Sequence, residues 1–199
     1  FDGRQVGLLD QRLLPAAEVV VQCEDARSVA EAIRDMVVRG APAIGVAAAY
    51  GMAAQAVRAG DDERTLFEAL ARAAHTLSGA RPTAVNLRWA VERVLGRAEA
   101  MRDHGAAAMR EAVVAAAIAL HVEDFEGNRR MGAYGEKLLP DGATVLTICN
   151  TGALATGGWG TALGVVRSAQ EAGKRVRVLA METRPCLQGA RPTAWECRR

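Results

Sequence analysis

Aromatic residues are scarce in this sequence: Phe, Trp and Tyr together make up 4% of its 199 residues. A core with few large rings must be filled by many small side chains. Half of the residues are hydrophobic, with alanine and valine prominent, which implies closely packed helices in one large or two small soluble domains. Long apolar runs are missing as well. The longest, AIGVAAAYGMAA at 43–54, is too short and too interrupted by glycine to span a bilayer. No basic stretch followed by an apolar one opens the sequence, so no secretory leader is expected. The four cysteines, Cys23, Cys149, Cys186 and Cys197, form no CxxC pair and no metal-ligand spacing. A reduced, cytoplasmic setting without a bound metal is the expectation. Net charge is low at +2, too little to argue for a nucleic-acid partner. Residues 140–199 nevertheless hold eight Lys/Arg against four Asp/Glu, a net of +4, which leaves 1–139 at −2. A small anionic substrate and a solvated face both fit that bias.

Hydrophobic patterning divides what is present into two parts. The segments 6–15 (VGLLDQRLLP) and 18–23 (EVVVQC) read as short strands around a turn at Pro15. Ser28 is placed to cap a helix whose apolar face is Val29, Ile33, Met36 and Val37, with Glu31 at the capping-box position. RGAPAIG at 39–45 breaks that helix and opens another, with Pro42 in its first turn. Leu66, Leu70, Ala73 and Leu77 mark a further helix, and Leu87, Val91, Val94 and Ala98 another. A long alanine-rich pattern covers roughly 106–138. Residues 1–139 are therefore expected to form a helical domain with a small β element. From 140 the period changes. ATVLTIC at 143–149 has the length and β-branching of a strand buried on both faces. A glycine-rich turn, a helix at 160–173 and a second strand at 175–183 complete one βαβ unit. Residues 140–199 are expected to be the opening part of a Rossmann-like parallel-sheet domain, cut short as TAWE begins another helix, so the fold class is α/β.

Cys149 ends the first parallel strand, where open α/β sheets bind ligands, and a helix N-terminus follows that would favour a thiolate. Free cysteine is also a small apolar residue that is commonly buried, and position alone leaves both readings open. His75, His104 and His121 all fall in helical patterns, so no cysteine–histidine pair is expected. TGGWGTALG at 156–164 fails the dinucleotide fingerprint, because Leu163 stands at the third glycine position, and it lacks the Gly-Lys-Ser/Thr of a P-loop. Close strand–helix packing accounts better for these glycines. Arg39, Gly40 and Ala41 lead into a helix N-terminus, a ready anion site to which Arg39 adds a charged fork. GARPTA occurs twice, at 79–84 and 189–194, and each copy sets an arginine, Arg81 or Arg191, before a proline suited to a first helical turn. Gly-Pro turns with a solvated arginine are common, and that plainer reading stands beside the anion-binding one.

Taken together, LLDQRLLP, RGAPAIGVAAAYG, RPTAVNLRWA, TICNTGALATGGWGTALGVV and ETRPCLQGARPTAWE resemble the methylthioribose-1-phosphate isomerase family of methionine salvage, in order and approximate spacing through nearly the whole chain. The wider superfamily includes ribose-1,5-bisphosphate isomerases and the regulatory subunits of initiation factor 2B, and CNTGALAT with RPxLQGAR favours the isomerase branch. The resemblance implies a helical domain followed by a Rossmann-like one, a cytoplasmic homodimer, a sugar-phosphate substrate and no organic cofactor. It implies substrate contacts at Arg39, Gly40, Ala41, Arg81 and Gln188, and a catalytic role for Cys149. It also implies a proton-donor aspartate and an Asn-Lys pair, both expected beyond Arg199. The terminal CRR and Pro192 depart from the family's pattern. The activity implied is conversion of 5-methylthioribose 1-phosphate to 5-methylthioribulose 1-phosphate. Isomerisation of 5-deoxyribose 1-phosphate or ribose 1,5-bisphosphate, or a non-catalytic regulatory role, are the alternatives.

Overall fold

Alternating burial along VGLL makes Val6–Leu9 a half-covered strand, β1, which pairs antiparallel with β2, Val20–Cys23, in the register Val6↔Cys23 to Leu9↔Val20. The computed structural model describes residues 1–183 and 187–198. Helix α1 covers Ala26–Arg34 and buries Val29 and Ile33 as the sequence pattern anticipates. Its cap differs from the expectation. Asp25 is the N-cap and accepts from the Ser28 backbone N–H at 2.8 Å, while Ser28 Oγ accepts from the Asp25 N–H at 3.1 Å. The shorter aspartate one turn earlier takes the cap, so Ser28 is the reciprocal partner and Glu31 instead meets Arg27 across one helical turn. The helix stops at Arg34, and Met36 turns to φ 60° before Val37 is buried.

Helix α2, Ala41–Arg58, has Pro42 in its first turn, and twelve of its eighteen residues are buried. It lacks a polar face because α1, α3, α4 and β1 all pack on it. Helices α3, Glu63–Ser78, and α4, Val85–Ala100, turn to the core the residues their periodicity marks: Leu66, Leu70, Ala73 and Leu77 from one, Leu87, Val91, Val94 and Ala98 from the other. The alanine-rich segment forms one long helix, α5, Ala106–Gly135, with a 3-10 turn at Glu136–Leu138.

Strand β3, Thr144–Thr147, then pairs in parallel with β4, Arg177–Ala180, and α6, Ala162–Glu171, connects them. This βαβ unit is the Rossmann-like part of the fold. The expectation that β3 is buried on both faces fails. Leu146 is 65% exposed, and its sheet neighbours Ile148, Leu179 and Met181 are exposed on the same face. The helix α6 covers only the opposite face, where Leu163 and Val166 lie with Val178, and two strands with one helix cannot cover the other side. After β4 a wide helical turn, Gly189–Thr193, runs into α7, Ala194–Glu196. Contacts gather the chain into two compact units: Phe1–Arg12 with Val19–His121, and Leu13–Glu18 with Val122–Arg199. No helix among the described residues is long and apolar enough to cross a membrane.

Because the Asp25 side chain is the N-cap acceptor of the capping box, Asp25→Ala should lower stability by about 1 kcal/mol, within the usual 0.5–2 for such caps. Ser28→Ala should cost less, since it leaves the Asp25 contact to the Ser28 backbone in place. Urea unfolding of the two variants side by side checks the order.

Candidate active site

The residues after β3 form a turn built on close backbone contacts. Cys149 is exposed and has φ 67°, a left-handed conformation that costs a non-glycine residue on the order of 1–3 kcal/mol and persists only where its surroundings hold it. The holding groups are identifiable. Thr147 and Thr151 hydroxyls lie 3.1 Å apart, and Asn150 Oδ1 accepts from the Gly152 N–H at 3.3 Å. The Thr151 carbonyl accepts from the Thr161 and Leu163 N–H groups at 2.8 and 3.3 Å, which ties the turn to the start of α6. A Cβ on Gly160 would stand 2.8 Å from Gly152 Cα, so these two glycines are needed for backbone to lie on backbone. That agrees with the packing reading of the glycine-rich segment. Further along, the Gly157 N–H donates to Asp124 at 2.6 Å, and Trp159 is buried between Phe125, Arg129 and Arg167.

The second strand brings the partner of the thiol. Gln188 Oε1 lies 3.9 Å from Cys149 Sγ, within reach of a weak sulfur hydrogen bond, and also accepts from Thr183 Oγ1 at 2.8 Å. Two groups expected for one substrate are thus adjacent although 39 residues separate them. Glu182 steadies the same segment. Its carboxylate accepts from the N–H groups of Gly189, Ala190 and Thr183, and the Gly189 bond leads the effects that hold it below the ordinary glutamate range. Glu196, in α7, is 7% exposed and accepts from the Leu154 N–H at 3.3 Å. Burial pushes its carboxyl above the usual range, against the opposing pull of Leu154, Ala153 and Arg167. Sequence reasoning gave no role to Thr183, Glu182 or Glu196. The only available signal was an ionisable residue inside an otherwise apolar or small-residue motif, TAWE and ETRP.

Arg39, Gly40, Ala41 and Arg81 belong to the first unit. Gly40 is the N-cap of α2 at φ 107°, and Arg39 is half-buried before it. A Cβ on Gly45, one turn into α2, would stand 3.1 Å from the Asn86 carbonyl in the first turn of α4. The two helices therefore begin side by side, which puts the Arg39–Ala41 turn and the Arg81 turn at one end of the helix pair. Arg81 itself is half-buried in a turn whose carbonyl accepts from the Ala84 N–H at 3.0 Å. The two GARPTA copies differ. In the first, Gly79 and Ala80 close α3 and the helix waits until Val85, so Pro82 precedes the helix instead of opening it. In the second, Pro192 lies inside the wide turn, and Arg191 Nε donates to the Leu14 carbonyl at 3.0 Å. His75 and His121 lie in helices as expected, His75 exposed and His121 Nδ1 meeting Tyr50 Oη at 2.8 Å, whereas His104 is exposed in the turn between α4 and α5 and not in a helix. Among the described residues no three His, Cys, Asp or Glu side chains gather as a metal site requires. Cys186 lies outside the described residues.

Comparison with known proteins agrees with this architecture. A methylthioribose-1-phosphate isomerase from Desulforudis audaxviator is 54% identical over 199 residues, covering 100% of this chain and 56% of its own length. One from Desulforamulus reducens is 52% identical over 198 residues, covering 98% and 57%. The chain spans about half the length of the curated relatives it matches. Among solved structures, 5-methylthioribose 1-phosphate isomerase from Pyrococcus horikoshii superposes with a TM-score of 0.94 at 40% identity, over 100% of this chain and 56% of that one. The translation initiation factor eIF-2B, subunit delta, from A. fulgidus superposes with a TM-score of 0.89 at 47% identity, over 100% and 57%. The sequence profile of the Initiation factor 2 subunit family matches residues 37–199, and the chain belongs to that family.

Proposed function

We propose that this chain is part of an aldose–ketose isomerase that converts 5-methylthioribose 1-phosphate to 5-methylthioribulose 1-phosphate in methionine salvage. The observation that carries the reading is the meeting of Cys149 and Gln188 across two strand ends, in a turn built to hold the cysteine in a costly conformation. Relatives more than 50% identical over nearly all of this chain bear the isomerase name, which supports it. In this reading 1–139 and 140–199 are the helical and Rossmann-like domains, and a proton-donor aspartate lies in the part of the protein outside this sequence. The protein works as a cytoplasmic homodimer without an organic cofactor.

The chemistry follows from the substrate. Phosphate on the anomeric carbon prevents the sugar from opening to a free aldehyde, so an acid must protonate the ring oxygen while hydrogen moves from C2 to C1. Arg39, the Gly40 and Ala41 backbone and Arg81 are assigned to the substrate, with the arginines gripping its phosphate. Gln188 orients the sugar beside Cys149. The thiol serves either as the group that moves the proton or as an apolar wall beside a hydride shift. Product formed in deuterium oxide separates the two: deuterium at C1 marks proton transfer, and its absence marks a hydride shift.

A regulatory role is the second reading, favoured by the 47% identity to the structure titled eIF-2B subunit delta. Turnover decides between them. The full-length protein should convert 5-methylthioribose 1-phosphate and prefer it to 5-deoxyribose 1-phosphate and ribose 1,5-bisphosphate. No turnover of any of the three would leave the regulatory reading standing.

In the full-length protein, Cys149→Ser should lower kcat by about a hundredfold or more with little change in KM, the loss expected when a positioned proton-transfer group is removed. Arg81→Ala should instead raise KM by roughly ten- to a hundredfold, since it deletes a charge-assisted hydrogen bond to phosphate. Steady-state kinetics on both variants tests the assignment, and the opposite pattern would reverse the two roles.

A further inference from the structure

Glu196 is a buried carboxylate to which the proposed reaction gives no task. It lies 42 residues beyond Leu154, in the short helix that follows the Gln188 turn, yet its Oε2 accepts from the Leu154 N–H at 3.3 Å. A Cβ on Gly152 would stand 2.1 Å from that same Oε2, so the carboxylate fills the space that the missing side chain leaves. Gly152, three residues after Cys149, is in turn stacked on Gly160. The peptide groups at 152–154 are thus held between the Gly160 backbone on one side and the Glu196 carboxylate on the other. Residues 189–196 form one continuous helical stretch that begins immediately after Gln188. One end of this stretch is fixed by Glu182, through the Gly189 and Ala190 N–H groups at 2.8 and 3.1 Å, and the other end reaches the cysteine turn through Glu196.

We propose that Glu196 is a positioning residue, a brace of fixed length between the Gln188-bearing helix and the Cys149 turn, which sets the separation of the thiol from the Gln188 amide. The role resides in reach and in hydrogen-bond acceptance. Glutamine, with the same length and one carbonyl oxygen, can substitute. Aspartate, shorter by one methylene, cannot span the gap, and alanine removes the carboxylate that accepts from the Leu154 N–H. The link to turnover rests on the isomerase reading; the link to Cys149 geometry does not.

The test uses the full-length protein and two readouts. The first is kcat and KM for 5-methylthioribose 1-phosphate. The second is the rate of Cys149 alkylation by iodoacetamide across pH 6–10, followed by peptide mass spectrometry and independent of any substrate. Glu196→Asp and Glu196→Ala should each lower kcat by about a hundredfold, the scale of loss for an ångström-sized misplacement of a reacting group, while KM moves about threefold or less. Both should shift the alkylation profile of Cys149, whereas Glu196→Gln should keep the wild-type profile and most of the turnover. If Glu196→Asp and Glu196→Ala lose only thermal stability and keep the wild-type alkylation profile and kcat, the brace is refuted. It is equally refuted if Glu196→Asp behaves as wild type while Glu196→Gln does not, because charge and not reach would then be the requirement. Should the alanine variant fail to fold, the aspartate–glutamine comparison still decides. A wild-type protein that turns over no substrate but shows the predicted alkylation pattern upholds the brace and overturns the isomerase reading.

Discussion

A helix with no polar side governs the first unit. Because α2 is apolar around its whole circumference, it is stable only when enclosed, and α1, α3, α4 and β1 each supply part of the enclosure. Its residues are mostly alanine and glycine, so enclosure brings backbones close together instead of separating them by large side chains. Gly51 illustrates the tolerance: a Cβ there would stand 3.2 Å from Val29 and 3.3 Å from Leu77, carbon atoms from two different helices. The scarcity of aromatic residues is the compositional sign of the same constraint. With large rings the helices would separate, and the turns at the N-termini of α2 and α4 would no longer be set beside one another.

The second unit solves a related problem with glycine in a turn. The segment after β3 must leave a strand, display a cysteine and enter a helix within the fourteen residues 148–161. It does so by replacing side-chain packing with main-chain hydrogen bonds: the Thr151 carbonyl to two N–H groups of the α6 start, and Thr156 Oγ1 accepting from the Gly158 and Gly160 N–H groups at 3.3 and 3.0 Å. The outer ring of contacts on α5 then fixes the far side of the turn through Trp159. A turn made in this way is rigid because its donors and acceptors are internal.

Much of this was readable from residue order alone, and the parts that were not have separate physical causes. Helical periodicity identified the core faces of α3 and α4 residue by residue, because one buried stripe repeats every third or fourth position. The parallel pair and its crossover helix were equally legible. The N-cap was misplaced by three residues because Asp25 and Ser28 are both good caps, and only the backbone conformation of Asp25 (φ −150°) distinguishes them. The two-sided burial assigned to β3 failed because an apolar run records what a strand is suited to touch, whatever neighbours are present. Contacts made by Glu196 and Thr183 were invisible for a different reason. Thr183 meets Gln188 five residues on, outside any periodic element. Glu196 acts on residues brought near by the crossover, and no local pattern encodes a carboxylate that fits the gap left by a glycine 44 positions earlier.

The bond from Arg191 Nε to the Leu14 carbonyl joins residues 177 positions apart. In equilibrium terms the distance matters little, since loop-closure entropy grows by only about 0.6 kcal/mol for each doubling of length. In the order of synthesis it matters a great deal. Strands β1 and β2 are neighbours in the chain and pair with each other, but the segment between them, Leu13–Glu18, belongs with Val122–Arg199, made more than a hundred residues later. A newly made chain therefore carries an early hairpin whose loop meets Arg191 only after a further 177 residues have been added. The hairpin can take shape long before its loop is finished.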